Sequence, residues 1–163
     1  MSARAGASCG RAPLLVFGWG SPGRGDDALG PLFVERLRGI ADASAPVEWL
    51  ADMQLQPEHA LDLAGRARVL LVDASVEGAA PFAVSRVEPR RDASVTSHAM
   101  SPSALLDTCC RLQLDPPPCT LLAIRGERFG LGDPLSAAAE RHLAAALAWG
   151  LGWVAATPAD QRL

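Results

Sequence analysis

Pro13-Leu14-Leu15-Val16-Phe17-Gly18-Trp19-Gly20-Ser21-Pro22-Gly23-Arg24-Gly25-Asp26-Asp27-Ala28-Leu29-Gly30-Pro31 is the stretch whose reading decides the fold. A short apolar run, Leu14 to Phe17, breaks into a glycine-punctuated loop that ends in two adjacent carboxylates, and a helical pattern follows at once. A buried parallel strand, a tight turn and a helix write this sequence. Glycine lets the backbone turn where a Cβ would clash. Asp26 and Asp27 then fall in the first helical turn, facing whatever lies beyond the carboxyl end of the strand.

Outward from this stretch the same grammar repeats. Strand-like runs occur at Leu14–Phe17, Val47–Leu50, Val69–Val72, Phe82–Val87 and Thr120–Ile124. Helical spacing of Leu29, Leu32, Phe33, Leu37 and Ile40 predicts a helix over Asp26–Ile40. Pro57 to Gly65 begins with a proline suited to the first helical position and ends in glycine. Ser101-Pro102 reads as an N-cap with proline behind it, opening Ser103–Leu114. Asp133-Pro134 repeats that device before a long Ala/Leu helix through roughly Val154. Phe82–Val87 follows Val69–Val72 too closely for a helical crossover, so one antiparallel strand is expected. The predicted architecture is an α/β three-layer αβα sandwich with a mostly parallel five-stranded sheet and one antiparallel strand. A single domain over 13–156 is expected, with a flexible segment at 1–12 and a tail at 157–163. The Asp115-Pro116-Pro117-Pro118 stretch is a rigid loop inside it, and no internal repeat is present.

Composition narrows the function classes. The 163 residues are 49% hydrophobic and 20% charged, which excludes a disordered tail. The formal net charge is −3 and the basic residues form no stripe, so neither nucleic acid nor an anionic membrane surface is an expected partner. No apolar run approaches the roughly 20 residues a membrane span needs. The first twelve residues lack the apolar segment of a secretory signal. Cys9, Cys109, Cys110 and Cys119 have no CxxC spacing and fit reduced thiols, so a cytoplasmic location is expected.

Ligands of such sheets sit beyond the carboxyl ends of the strands, and the polar candidates there are few. Asp26 and Asp27 follow the first strand, Asp52 follows the second and Asp73 closes the third in Leu-Leu-Val-Asp-Ala. His98 stands in the loop before Ser101-Pro102. Each has an ordinary reading: Asp26 as a helix cap or dipole partner, worth at most about 1 kcal/mol; Asp52 as an Asx-turn residue; Asp73 as the cap of the next turn; His98 as an exposed loop histidine. His59 and His142 sit in helical patterns and read as surface residues. Taken together, two carboxylates and an imidazole at one sheet edge form a mixed O/N set suited to a borderline divalent metal with open coordination positions.

Gly18-Trp19-Gly20-Ser21-Pro22-Gly23 also matches G-x-G-x-x-G, with Asp52 near the place of a ribose-binding acid. A dinucleotide pyrophosphate needs a bare, positive helix N-terminus. Asp26 and Asp27 occupy that place, and each would repel a phosphate charge at about 4 Å by about 4 kcal/mol at an effective dielectric of ~20. The dinucleotide-binding reading is the rival, and the acids argue for a cation and no nucleotide.

On these residues the chain resembles the nickel–iron hydrogenase maturation proteases, endopeptidases that trim the C-terminal extension of a hydrogenase large-subunit precursor. The resemblance runs from Leu14 to about Ala148. It is carried by Gly18-x-Gly20, Gly25-Asp26-Asp27-Ala28-Leu29-Gly30, Val72-Asp73-Ala74 and His98 shortly before a helix. Asp52-Met53-Gln54-Leu55 and Thr96-Ser97-His98-Ala99-Met100-Ser101-Pro102 look most like the branch serving NAD-reducing, bidirectional hydrogenases. The resemblance implies that Asp27, Asp73 and His98 contact the metal and carry catalysis. It places Gly18, Gly20, Ser21, Asp26 and Asp52 in the supporting loops. It also implies that nickel arrives with the substrate and is not stably bound by the protease. Ser21 departs from the family's usual Asn, keeping a hydroxyl but losing an amide that donates and accepts at once. Two chemistries remain open: nickel polarising the carbonyl, or a carboxylate activating water while nickel positions the substrate. No Ser-His-Asp set, Cys-His pair or G-x-S-x-G elbow is legible. A non-catalytic nickel-sensing chaperone would use the same trio without cutting.

Overall fold

The computed structural model describes residues 10–91 and 99–156. The elements in chain order are β1 (Leu14–Trp19), a 3-10 turn (Gly25–Ala28), α1 (Leu29–Ile40), β2 (Val47–Asp52), α2 (His59–Leu63) and β3 (Arg68–Ser75). They continue with β4 (Phe82–Val87), α3 (Pro102–Arg111), β5 (Cys119–Arg125) and α4 (Ala137–Ala155). The sheet order is β2-β1-β3-β5-β4. All pairs are parallel except β4 with β5, so β4 is the antiparallel edge strand expected from the short β3–β4 connection.

Central strands covered on both faces must be apolar at every position. In β1, Leu14 and Val16 face one way and pack with Leu29, Phe33, Leu37, Leu143 and Trp153 of α1 and α4. Leu15 and Phe17 face the other way and pack with Leu55, Leu63, Leu105 and Cys109 around α2 and α3. Two apolar layers thus clamp one sheet, which is the three-layer αβα sandwich. The α1 layer lies unusually close: a Cβ on Gly30 would collide with the Trp19 backbone and one on Gly18 with the Gly30 carbonyl. Those two glycines let the start of α1 rest directly on the strands, which carries the preceding turn over the sheet edge.

Two helix starts differ from the expectation. Asp26–Ile40 is divided into a 3-10 turn and α1, because the Asp26 N–H donates to Arg128 O at 2.7 Å and leaves the helical pattern. The cap of α4 is Ser136, whose hydroxyl accepts from Ala139 N at 3.1 Å, and not Asp133. Asp133 instead closes its own loop by accepting the Gly130 N–H at 2.9 Å. Ser101 caps α3 as expected, accepting from Ala104 N at 3.1 Å with Pro102 behind it. At the far end of α4, the buried Arg68 donates to Trp153 O and Ala156 O and stacks on the Trp153 ring, satisfying terminal carbonyls.

Candidate functional site

The strand order reverses direction between β1 and β3, since the chain winds from β1 to β2 on one side and returns to β3 on the other. A crevice opens beyond the carboxyl ends at such a switch point. Asp27 follows β1 and Asp73 lies near the end of β3, one on each side of it. β3 continues two residues past Asp73, which pairs with Ala123 of β5. The Asp27 turn packs on β3 through Gly30, whose added Cβ would sit 2.8 Å from Val72 O.

Asp27 is held by its own loop. The Ser21 N–H donates to Asp27 Oδ2 at 2.7 Å. Gly20 makes the geometry possible, with φ +146° and a position where any Cβ would strike the Asp27 carbonyl. Asp73 is half-buried, and its Oδ1 accepts from Ala74 N at 2.8 Å. Burial raises its pKa and the Asp27 charge adds to that against the Ala74 hydrogen bond, bringing it to about 7. The two carboxylates therefore act on one another across the crevice.

Asp26 does something else. Its carboxylate is fully buried, and no side-chain bond caps its own helix. Oδ2 accepts from Glu127 N, Arg128 N and Ser136 Oγ at 2.7, 3.0 and 2.7 Å, and Oδ1 accepts from Ser136 N at 2.7 Å. Burial alone would raise its pKa, but the hydrogen bonds outweigh it and hold the carboxyl below its ordinary value. The cap-or-dipole reading of Asp26 is corrected: it clamps the β5–α4 loop to the glycine loop. Its partners lie about a hundred residues away, and no local pattern points to them.

Asp52 ends β2 with its carbonyl accepting the Gly20 N–H at 3.1 Å. Its Oδ1 accepts from Met53 N at 2.6 Å and its Oδ2 meets His59 Nε2 at 3.2 Å. His59 is 7% exposed, so the surface reading is corrected. The signal was present: His59 and Leu63 are four apart and share a helix face. His142 is also drawn inward, half-buried with Nδ1 2.7 Å from Arg125 O. His98 and Cys9 lie outside the described residues. Among the described residues, no three His, Cys, Asp or Glu side chains form a metal-ligand cluster.

Two features mark the surface. A cleft of about 260 Å³ on the outer side of the Asp27 turn is lined by Pro22, Ala28, Pro31, Leu32, Glu35 and Leu135, and includes neither Asp27 nor Asp73. Among the described residues the three most exposed large apolar side chains are Met53, Val76 and Leu131, at 60, 62 and 84%. Met53 and Val76 come directly after β2 and β3, and Leu131 lies in the loop between β5 and α4. No described helix is long and apolar enough to cross a membrane.

The fold is that of proteins already solved. The chain is similar to the [NiFe] hydrogenase maturation protease HycI from Thermococcus kodakarensis KOD1, with a TM-score of 0.67 at 20% identity, over 90% of this chain and 94% of that one. It is similar to the hydrogenase maturating endopeptidase HybD from Escherichia coli, with a TM-score of 0.63 at 22% identity, over 86% and 91%. An endopeptidase from Escherichia coli gives a TM-score of 0.68 at 22% identity, over 85% and 90%. No protein-family model and no curated protein sequence matches the chain.

Proposed function

We propose that this protein is an endopeptidase that removes the C-terminal extension of a nickel–iron hydrogenase large-subunit precursor after nickel insertion. The observation that carries the reading is the pair of carboxylates, Asp27 in the turn after β1 and Asp73 near the end of β3, placed at the switch point of a fold shared with solved hydrogenase maturation endopeptidases. His98 is the third member of the proposed set. Two hard carboxylates and an imidazole bind a divalent ion weakly by themselves, and the thiolates around the nickel of the precursor complete its shell. Nickel is thus cargo of the substrate. Asp73, with its pKa about 7, changes protonation easily near neutrality, which suits a group that gives up its proton when a cation arrives or takes one from an attacking water.

The finer reading is a protease of the cytoplasm serving an NAD-reducing, bidirectional hydrogenase, supported by the Asp52–Leu55 and Thr96–Pro102 segments. A resident dinucleotide is disfavoured by the loop itself. The N–H groups of Gly20, Ser21, Arg24, Asp26 and Asp27 donate to Asp52 O, Asp27 Oδ2, Ser21 O, Arg128 O and Arg24 O, and so are not offered to a pyrophosphate. Calorimetric titration with NAD, NADP and flavin tests this, with micromolar affinity for any of them counting against the reading. The main test is incubation with nickel-loaded precursor followed by intact-mass measurement. One C-terminal peptide is released from it, and nickel-free precursor stays whole. Cutting of both at the same rate would remove nickel recognition from the proposal. Binding without cutting would make the protein a chaperone.

A further inference from the structure

We infer that His59 is a positioning residue for the substrate, acting through Asp52; the inference rests on the endopeptidase reading above. The ring is locked on three sides. Nδ1 accepts the Gln56 N–H at 2.9 Å, which leaves the proton of the neutral imidazole on Nε2. Nε2–H then donates to Asp52 Oδ2 at 3.2 Å. The ring packs against Phe17 at 4.6 Å between centroids and 63° between planes. Phe17 belongs to β1, three residues before the glycine loop begins at Gly20, so the imidazole is seated on the strand that carries the site.

What this arrangement fixes is a carboxylate at the rim. The Asp52 side chain is 39% exposed against 9% for His59, so the histidine is the buried anchor and the carboxylate is the part that meets solvent. Each carboxylate oxygen takes one donor from the protein, Met53 N–H and His59 Nε2–H, and each retains a further lone pair. The Asp52 backbone carbonyl receives the Gly20 N–H, and the next N–H in the chain, from Ser21, holds Asp27. Side chain and main chain of one residue therefore place an outward acceptor at a set offset from Asp27. The exposed Met53 is the next residue in the chain. An extended peptide crossing toward Asp27 would give a backbone N–H to the free Asp52 lone pair, with Met53 against its side chain. A filled core alone would not require this, because an aliphatic side chain at position 59 would pack on Phe17 without a polar atom to satisfy.

The test separates the two hydrogen bonds of the ring. In His59→Asn the amide oxygen overlays Nδ1 and keeps the Gln56 bond, but the side chain stops short of Asp52. In His59→Gln the amide nitrogen reaches the Nε2 position and keeps the Asp52 bond. Steady-state cleavage of nickel-loaded precursor should show KM raised about fivefold to tenfold in His59→Asn, with kcat within about twofold, because Asp52 regains rotamer freedom that binding must then remove. His59→Gln should restore KM. A wild-type KM in His59→Asn, or losses in both variants that follow their thermal midpoints, would overturn the inference. Nitrogen-15 spectra of the free enzyme supply a readout independent of cleavage, with a neutral His59 protonated at Nε2 expected. An Nδ1-protonated ring overturns the positioning role even if precursor is cut. Precursor left whole by the wild-type enzyme overturns the endopeptidase reading instead.

Discussion

Asp26 and Asp27 are adjacent in the chain and differ in almost every physical respect. Asp26 is fully buried, receives four hydrogen bonds and joins two loops that are distant in sequence. Asp27 is partly exposed, receives one loop N–H and acts by its charge on a second carboxylate. One region of the site spends its polar groups on internal bonds. The other sets two carboxylates at the switch point, where the charge of Asp27 adds to the burial that raises the Asp73 pKa. The lesson is that a pair of like charges at a helix start divides into scaffold and reagent by what each carboxylate is bonded to.

The sharpest break of that comparison is functional. Asp27→Asn and Asp73→Asn should each lower precursor cleavage by roughly a thousandfold or more, about 4 kcal/mol of barrier, with thermal midpoints unchanged or raised. Intact mass and a melting curve on the same sample check it. If Asp26→Asn inactivates equally at unchanged stability, scaffold and reagent have been assigned to the wrong residues.

Next comes stability. Asp26→Ala strands three backbone N–H groups and the Ser136 hydroxyl, and should lose roughly 3–5 kcal/mol of unfolding free energy. This exceeds the 1 kcal/mol expected of a simple cap. Urea unfolding measures it, and a loss below about 1 kcal/mol would return Asp26 to the ordinary role.

The two regions also carry opposite pH dependence. The pKa of Asp73 is raised to about 7 in the folded state, so the folded protein holds a proton that the unfolded chain has released. Its effect is to lower stability as pH rises from about 4 to about 7, by roughly 2–4 kcal/mol over that window. The pKa of Asp26 is lowered, so its stabilisation is present above about pH 4 and is lost as pH falls through the folded value. Asp73→Asn should flatten the slope between pH 4 and 7 and leave the acid limb in place. Unfolding curves at intervals of one pH unit decide between this and a shared response of both acids.

The smallest effect lies away from both. Ser101→Ala removes the hydrogen bond to Ala104 N at the start of α3 and should cost about 1 kcal/mol. Cleavage should survive, since the substitution touches neither carboxylate. A larger loss of activity than of stability would tie the start of α3 to the site.

The sequence by itself determined the layers, the five strands and the antiparallel one. Leu14–Phe17 and Val69–Val72 are apolar at every position, which only a strand covered on both faces requires. Asp27, Asp52 and Asp73 were placed at the carboxyl ends for the same reason: strand ends are marked locally by where apolar runs stop. Three matters were decided only by tertiary structure. The role of Asp26 depends on Glu127, Arg128 and Ser136. The start of α4 passes from Asp133 to Ser136 because Ser136 is bonded to Asp26. The burial of His59 comes from Phe17, while its polar anchor is Asp52. Periodicity and capping rules describe neighbours within a few positions. A buried polar group is defined instead by whichever distant donor or acceptor the fold brings within about 3 Å, and that information is not local.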